Sequence, residues 1–291
     1  MENEKNKVKA GVLYLVATPI GNLADMTERG KKVLSEVDFI AAEDTRNSLK
    51  LLSLFGIRKE LVSYFEHNKK ASGERIVERL QNGESCALIT DAGMPAISDP
   101  GEDIVRMCAD AGVVVSVIPG ACAAVSALAL SGLCTGKFAF EGFLSANKGE
   151  REKRLAVIRH EERTLIFYEA PHKLKRTLDA LADTFGKERK ISLCREITKL
   201  NEDVMRTTIG EAIAFYDVNE PRGEYVLIVE GEAEAFGDER PVQVQNDFSA
   251  LSPEEHVQHY MDSGMQKMDA IKAAAKDRGM TKSELYKILN T

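Results

Sequence analysis

The chain contains no tryptophan, only five histidines and eight prolines, and no pair of cysteines at CxxC spacing. Cys86, Cys108, Cys122, Cys134 and Cys194 are odd in number and sit mostly in apolar segments, which suits reduced thiols packed as small hydrophobes. The carboxylates and histidines do not fall at ligand spacings, so no metal is expected. Positive charge is not in excess either: the formal net charge is −7, which excludes a uniformly basic nucleic-acid coat but leaves room for a local patch that neutralises phosphates. There is no internal repeat and no long low-complexity segment. The lysines and apolar stretch of Met1 to Ile20 end in Thr18-Pro19-Ile20-Gly21-Asn22 without a small-residue cleavage pattern, so this stretch is expected to be a first β-strand in a cytoplasmic protein.

A long uncharged run is present, the 26 residues from Ala111 to Gly136. Pro119-Gly120 divides it, with β-branched Val113, Val114, Val115, Val117 and Ile118 before the break and helix-forming Ala and Leu after it. A buried strand followed by a buried helix is expected, not a membrane span.

What is there is ordinary globular material, 44% hydrophobic and 29% charged, and 291 residues suffice for two domains. Short apolar runs at Val12 to Ala17, Phe39 to Ala42, Cys86 to Thr90 and Val113 to Ile118 alternate with helical patterns, the signature of βαβ units and a mostly parallel sheet. A second series of strands, Phe138 to Leu144, Thr164 to Tyr168, Lys190 to Arg195, Asp203 to Ile209 and Glu224 to Val229, is less uniformly apolar and predicts a mixed sheet, with helices near Arg151 to His160 and Pro171 to Phe185. The expected organisation is an N-terminal α/β domain over 1–136, a second α/β domain over 137–231, an acidic linker over 232–250 and a small helical module over 251–291. In that module Lys267 to Arg278 and Thr281 to Asn290, about a turn at Gly279, resemble a helix-turn-helix; a helical hairpin with a solvated charged face fits as well. From Met265 onward six Lys or Arg face three acids, reversing the sign of the preceding linker.

Three strand ends carry small residues and prolines: Thr18-Pro19-Ile20-Gly21-Asn22-Leu23, Thr90 to Gly101, and Ile118-Pro119-Gly120-Ala121. Ligands of open α/β sheets bind at such carboxyl ends. The first is not GxGxxG, so no dinucleotide fingerprint is present, and Gly21 alone reads as a turn residue. Within the second, small residues permit close backbone approach to a flat or extended ligand, and Asp91 can bind a hydroxyl or balance a positive centre. Its other reading is a rigid turn in which Asp99 caps the helix that begins at Pro100. Three such turns together define a pocket walled by backbone.

These segments, with Ala42-Glu43-Asp44-Thr45-Arg46, Glu66-His67-Asn68, Glu169-Ala170-Pro171-His172-Lys173, Cys194 to Lys199 and Arg222-Gly223-Glu224-Tyr225, resemble the tetrapyrrole-methylase superfamily. Within it they resemble the ribosomal RNA small-subunit methyltransferase I family. The resemblance runs from Leu13 to about Val229 and more loosely beyond. It implies two α/β domains of the tetrapyrrole-methylase type with a cofactor cleft between them, a homodimer, S-adenosylmethionine as cofactor, and 2′-O-methylation of a cytidine ribose in the decoding region of 16S rRNA. The partners it implies are 16S rRNA or the small ribosomal subunit, with neither membrane nor DNA. By motif position Thr18, Pro19, Gly21, Asp91, Gly93, Met94, Ala96, Ile97, Ser98, Pro119, Gly120 and Ala121 line the cofactor site, closed over the adenine by Phe167, Tyr168 and Glu169. Two positions depart from the family pattern: Phe65 stands where His is expected, and Gly30 where Ala is.

Methyl transfer from a sulfonium to a hydroxyl is an in-line displacement in which oxygen sheds a proton, so positioning and a base are needed. Candidates for that base or proton path are Glu66, His67, Lys199 and Glu202, although His67 also reads as a hydrogen-bonded structural residue. Arg46, Asn68, Arg195 and Arg222 are candidates for holding the target nucleotide, and Lys148, Arg151 and Arg154 for an RNA groove. Interleaved Glu150, Glu152, Glu161 and Glu162 make a plain solvated helix surface an equal reading of that cluster. Two other functions share parts of the pattern: methylation of a tetrapyrrole such as a cobalamin precursor, and a ligand-sensing nucleic-acid-binding regulator.

Overall fold

The structure is a computed structural model, and it describes residues 7–232, 252–262, 265–278 and 280–289. The chain divides into two compact units, Met1–Phe236 and Gly237–Thr291. The larger unit opens with five parallel strands, β1 (Val12–Val16), β2 (Phe39–Ala42), β3 (Glu60–Ser63), β4 (Cys86–Ile89) and β5 (Val114–Ile118), in the order β3-β2-β4-β1-β5. Between them run α1 (Glu28–Glu36), α2 (Thr45–Leu54), α3 (Lys69–Gln81) and α4 (Gly101–Asp110).

Side chains of a strand alternate between faces, and β1 shows the result. Val12, Tyr14 and Val16 enter one core with Val33 and Leu34 of α1 and Leu52 of α2, while Leu13 enters the other with Ile76 and Leu80 of α3 and Ile104 of α4. Burial on both faces explains the nearly continuous apolar runs. β3 has no counterpart among the expected strands, because Glu60-Leu61-Val62-Ser63 lies at the sheet edge and none of it is fully buried.

The second sheet has the order β6-β7-β10-β8-β9, formed by β6 (Phe138–Phe143), β7 (Thr164–Glu169), β8 (Lys190–Arg195), β9 (Asp203–Thr208) and β10 (Tyr225–Val229). It is mixed as expected: β6 pairs with β7 in parallel, and the other pairs are antiparallel. Helices α6 (Lys148–Val157), α7 (Leu174–Phe185) and α8 (Ile209–Val218) cover one face through Leu155, Leu174, Leu178, Leu181, Ile209 and Tyr216. The other face is covered by α5 (Ala123–Ser131), whose Ala124, Ala127 and Leu128 pack on Ile166, Val226 and Ile228.

The uncharged run from Ala111 to Gly136 is thus the strand β5 followed by the helix α5, and no helix among the described residues is long and apolar enough to cross a membrane. The α/β class and the terminal helices expected from the sequence are both present. In the smaller unit α9 (Pro253–Asp262), α10 (Lys267–Asp277) and α11 (Lys282–Ile288) enclose Val257, Ala270, Ile271, Ala274 and Leu285. Ser252 and Glu255 form a capping box at the start of α9: Ser252 N donates to Glu255 Oε2 at 2.8 Å and Glu255 N to Ser252 Oγ at 3.2 Å. The acidic stretch from 233 to 250 and Gly279 lie outside the described residues.

Candidate active site

Because β4, β1 and β5 are parallel neighbours, their carboxyl ends lie side by side, and the three glycine- and proline-rich turns meet. Thr18 and Gly93 form a two-way backbone bridge, with N–H to O distances of 2.9 and 3.1 Å, and Thr18 Oγ1 donates to Thr90 O at 3.1 Å. A Cβ on Gly93 would stand 3.2 Å from Ile20, and one on Gly120 would stand 2.8 Å from the Ala17 Cβ, so these glycines allow the turns to nest. Asp99 Oδ1 accepts from Ala96 N at 2.9 Å and Gly101 N at 2.7 Å, which closes the loop and opens α4. The rigid-turn reading of this segment describes its hydrogen bonding.

Across from these turns stand the carboxyl ends of β7 and β8 and the start of antiparallel β10. Between the two sheets lies a cavity of about 340 Å³ walled by Ile20, Gly93, Met94, Ile97 and Ser98 on one side and by Phe143, Tyr168, Glu169, Glu196, Lys199, Glu224 and Tyr225 on the other. The β6 irregularity between Phe140 and Gly142 brings Gly142 against Ser98, where an added Cβ would lie 3.0 Å from Ser98 Oγ. Thr90 also lines a second cavity of about 180 Å³ with Pro19, Gly21, Leu23, Asn47, Leu51 and Asp91.

The larger cavity is acidic. Glu43, Asp99, Glu169, Glu196 and Glu224 line it, against Lys199 as its cation. Lys199 Nζ donates to Glu196 Oε1 and Glu224 Oε2, each at 2.8 Å. Burial of the ammonium pulls its pKa down, but these hydrogen bonds outweigh burial, and the net shift is upward. The bond from Lys199 holds Glu196 below the usual carboxylate value. Tyr168, pushed up to about 12 by burial, accepts from Ala124 N at 3.1 Å at the start of α5. Glu169 is buried and accepts from Thr177 Oγ1 at 2.5 Å and Ala170 N at 2.8 Å. Asp99 Oδ2, Arg195 Nε and Thr198 Oγ1 are buried without a hydrogen-bond partner.

Four non-glycine residues among those described have positive φ, and all are in the two loops flanking this cavity: Ala96 (69°), Ser98 (65°), Glu196 (52°) and Thr198 (69°). Left-handed conformations of this kind cost about 1–3 kcal/mol each and persist where surroundings over-determine them, which is typical of ligand sites. Glu202 supplies part of that constraint, its Oε2 accepting from Thr198 N at 2.6 Å. Gly21 and Gly223 supply more. A Cβ on Gly21 would overlap Lys199 Cγ, and one on Gly223 would lie 2.7 Å from Glu196 Cδ.

The structure gathers some expected site residues and disperses others. Gly93, Met94, Ile97, Ser98, Tyr168, Glu169 and Lys199 line the main cavity; Pro19, Gly21 and Asp91 line the second. Thr18, Ala96, Pro119, Gly120 and Ala121 lie in the supporting turns and are not part of either wall. Phe167 does not close the site: alternation on β7 turns it, fully buried, into the core with Leu165 and Leu178, while Tyr168 takes the cavity side. Glu66 and His67 are exposed in the turn before α3, outside both cavities, with Glu66 paired to Lys69 at 2.7 Å. Glu202 pins a loop, and Lys199 is held as an ammonium, so neither is placed as a base.

Among the expected RNA contacts, Arg46 and Arg222 are exposed, Arg46 beside Asp44 at 3.1 Å. Arg195 reaches toward Asp203 at 3.8 Å. Asn68 is spent on its own turn, accepting from Phe65 N at 2.8 Å and donating to Ser63 O at 3.0 Å. Arg151 is buried, donating to Ser145 O at 3.1 Å, and cannot face a groove. Arg154 pairs with Glu141 at 2.6 Å and Lys148 with Glu152 at 3.6 Å, so the solvated-surface reading of this helix describes it better.

Glu43, Glu196 and Glu224 had no expected role although all lie in the quoted segments. Their signal is positional. Glu43 and Glu196 follow the carboxyl ends of β2 and β8, and Glu224 precedes antiparallel β10, so all three face the same cleft.

The class this fold defines is that of two-sheet α/β proteins with a cleft between the sheets. Residues 12–213 match the family of Tetrapyrrole (Corrin/Porphyrin) Methylases. The "Ribosomal RNA small subunit methyltransferase I" of Bacillus subtilis is 46% identical over 280 residues, covering 96% of this chain and 94% of that protein. Its namesake from Halalkalibacterium halodurans is 48% identical, covering 96% and 94%. A uroporphyrin-III-C-methyltransferase structure from Thermus thermophilus superposes with a TM-score of 0.54 at 21% identity, covering 76% of this chain and 94% of that one, a likeness of fold alone. The chain is a methyltransferase and belongs to the ribosomal RNA small subunit methyltransferase I family of the tetrapyrrole methylases.

Proposed function

We propose that the protein transfers a methyl group from S-adenosylmethionine to the ribose 2′-hydroxyl of a cytidine in the decoding region of 16S rRNA. The carrying observation is the carboxylate-lined cavity at the meeting of the three turns, combined with the relatives named for small-subunit rRNA methylation. Its residues fit that cofactor. Backbone of the Gly93–Ser98 loop would lie against a long ligand, the carboxylates would offset a cationic one, and the buried Asp99 Oδ2 has an unused acceptor for a polar ligand group. When bound, S-adenosylmethionine supplies an electrophilic methyl group on a positively charged sulfur.

In the displacement the methyl C–S bond breaks as the C–O bond forms, and the hydroxyl proton must leave. Glu43 is the carboxylate at the right place: it lines the main cavity, and its Oε2 accepts from Thr90 Oγ1 at 3.0 Å where the two cavities adjoin. Lys199 serves as a fixed charge. Arg46, Arg195 and Arg222 steady the phosphates beside the target. A homodimer accords with exposed Val114 and Val117 on edge strand β5 and Val125 on α5, and a cytoplasmic location with a ribosomal substrate.

The test incubates the protein and methyl-labelled cofactor with small subunits from cells lacking this protein, then maps the label by mass spectrometry of nuclease fragments. Label on a 16S cytidine ribose is expected. Label only in a corrin precursor points to tetrapyrrole methylation, and no transfer at all to a ligand-sensing regulator; either overturns the proposal.

A further inference from the structure

The second cavity has a construction of its own. Pro19, Leu23 and Leu51 provide apolar walls, and Asn47 and Asp91 provide one polar end. Its volume of about 180 Å³ is roughly half that of the main cavity, too small for a second elongated ligand and suited to one flat ring. Both polar side chains are exposed, so neither is held in place by packing. They are held by each other: Asn47 Nδ2 donates to Asp91 Oδ2 at 3.1 Å. The opposite amide orientation would set two acceptors face to face, so this bond fixes which way the amide points.

That bond uses one amide N–H and one carboxylate oxygen. Another N–H of Asn47 and further lone pairs of Asp91 have capacity for a ligand, a donor beside a charged acceptor. A cytosine ring presents the complement, an exocyclic amino donor beside a ring-nitrogen acceptor. Uracil presents a carbonyl where cytosine has the amino group, and would set oxygen against the Asp91 carboxylate. A ligand that sets an acceptor against a carboxylate, or leaves the amide N–H unpaired, is rejected more strongly than one that merely loses apolar contact. The cavity adjoins the main one at Thr90, as the base of a nucleotide must when its own ribose is the acceptor.

We propose that the cavity between Pro19, Leu51 and Asp91 is the slot for the extruded target base, and that Asn47 and Asp91 select cytosine over uracil there. This rests on the ribose-methylation reading above, and it moves Asp91 from the cofactor to the acceptor.

The experiment uses the full chain with reconstituted small subunits carrying cytidine or uridine at the mapped target. Unaltered protein, Asp91→Asn and Asn47→Ala are compared for kcat/KM on each substrate, and for S-adenosylmethionine affinity by calorimetry. The unaltered protein is expected to favour cytidine at least tenfold. Each variant should lose tenfold or more on cytidine, chiefly through KM, and narrow the preference, while cofactor affinity stays within twofold and certifies the fold. Cofactor affinity that falls in step with activity would assign the slot to the cofactor and overturn the proposal. So would an unchanged preference. Failure of the unaltered protein to methylate any ribose sinks the underlying reading instead, and is seen before any variant is made.

Discussion

Replacing Gly21 by Ala tests whether the turn after β1 and the Lys199 loop are as closely fitted as they stand. The new methyl would overlap Lys199 Cγ and lie 3.0 Å from Thr198 Oγ1. Two relaxations are open. If the loop shifts as a body, the cost is that of overpacking, about 1–3 kcal/mol. If Lys199 swings outward, it gives up its hydrogen bonds to Glu196 and Glu224; Glu224 is 79% exposed on its side chain, so the two together are worth only about 1–2 kcal/mol. Either route predicts a loss near 2 kcal/mol, a fall of roughly 4–8 °C in melting temperature for a unit of this size. Gly136→Ala is the control, since its Cβ would meet only Cys134 Sγ at 4.0 Å and no positive φ is involved. Urea midpoints at constant slope, read together with methyl transfer, measure both effects. Transfer should fall at least tenfold in Gly21→Ala and stay unchanged in Gly136→Ala. Equal midpoints and equal rates for the two variants would refute the close fit.

Three other outcomes follow from the same geometry. Phe167→Ala should cost about 3–5 kcal/mol, as expected for a fully buried aromatic, with cofactor affinity per folded molecule unchanged by calorimetry. Glu196 has a lowered folded pKa, so the stability it adds is present above its ordinary value of 4.5 and is lost as pH falls through the folded value. In Lys199→Met, which removes the main cause, urea midpoints should therefore fall less steeply between roughly pH 6 and pH 3. Arg151→Ala removes a buried guanidinium that donates to Ser145 O, so it should lower the urea midpoint and leave the slope of log affinity for 16S rRNA against log salt unchanged.

Much of the fold was legible because burial on both faces writes itself into a strand as an apolar run. β1, β2, β4 and β5 announce themselves in this way, and the prolines and glycines at three of their ends mark a site. β3 did not, since an edge strand with one exposed and three half-buried residues carries no such run. Phe167 and Tyr168 are neighbours in sequence and opposites in space; a motif match treats them alike, and only the two-residue period of β7 separates them. The same limit hides Arg151, whose positive charge reads as surface until its carbonyl partners are seen. Glu43, Glu196 and Glu224 were invisible as a group because their convergence depends on the strand directions of two different sheets.

The helix α5 follows the last strand of the first sheet in the chain, yet its apolar face is seated on the second. A cut between residue 131 and β6 would thus leave an N-terminal fragment with Ala124, Ala127 and Leu128 bare, and a C-terminal fragment with Ile166, Val226 and Ile228 uncovered. Neither half is an independent folding module, so exchanging either sheet with a relative's must carry α5 along with the second. The same tether limits how the enzyme can breathe: a wide hinge between the sheets would have to peel this helix from its seat, which leaves substrate entry to the loops that rim the cleft.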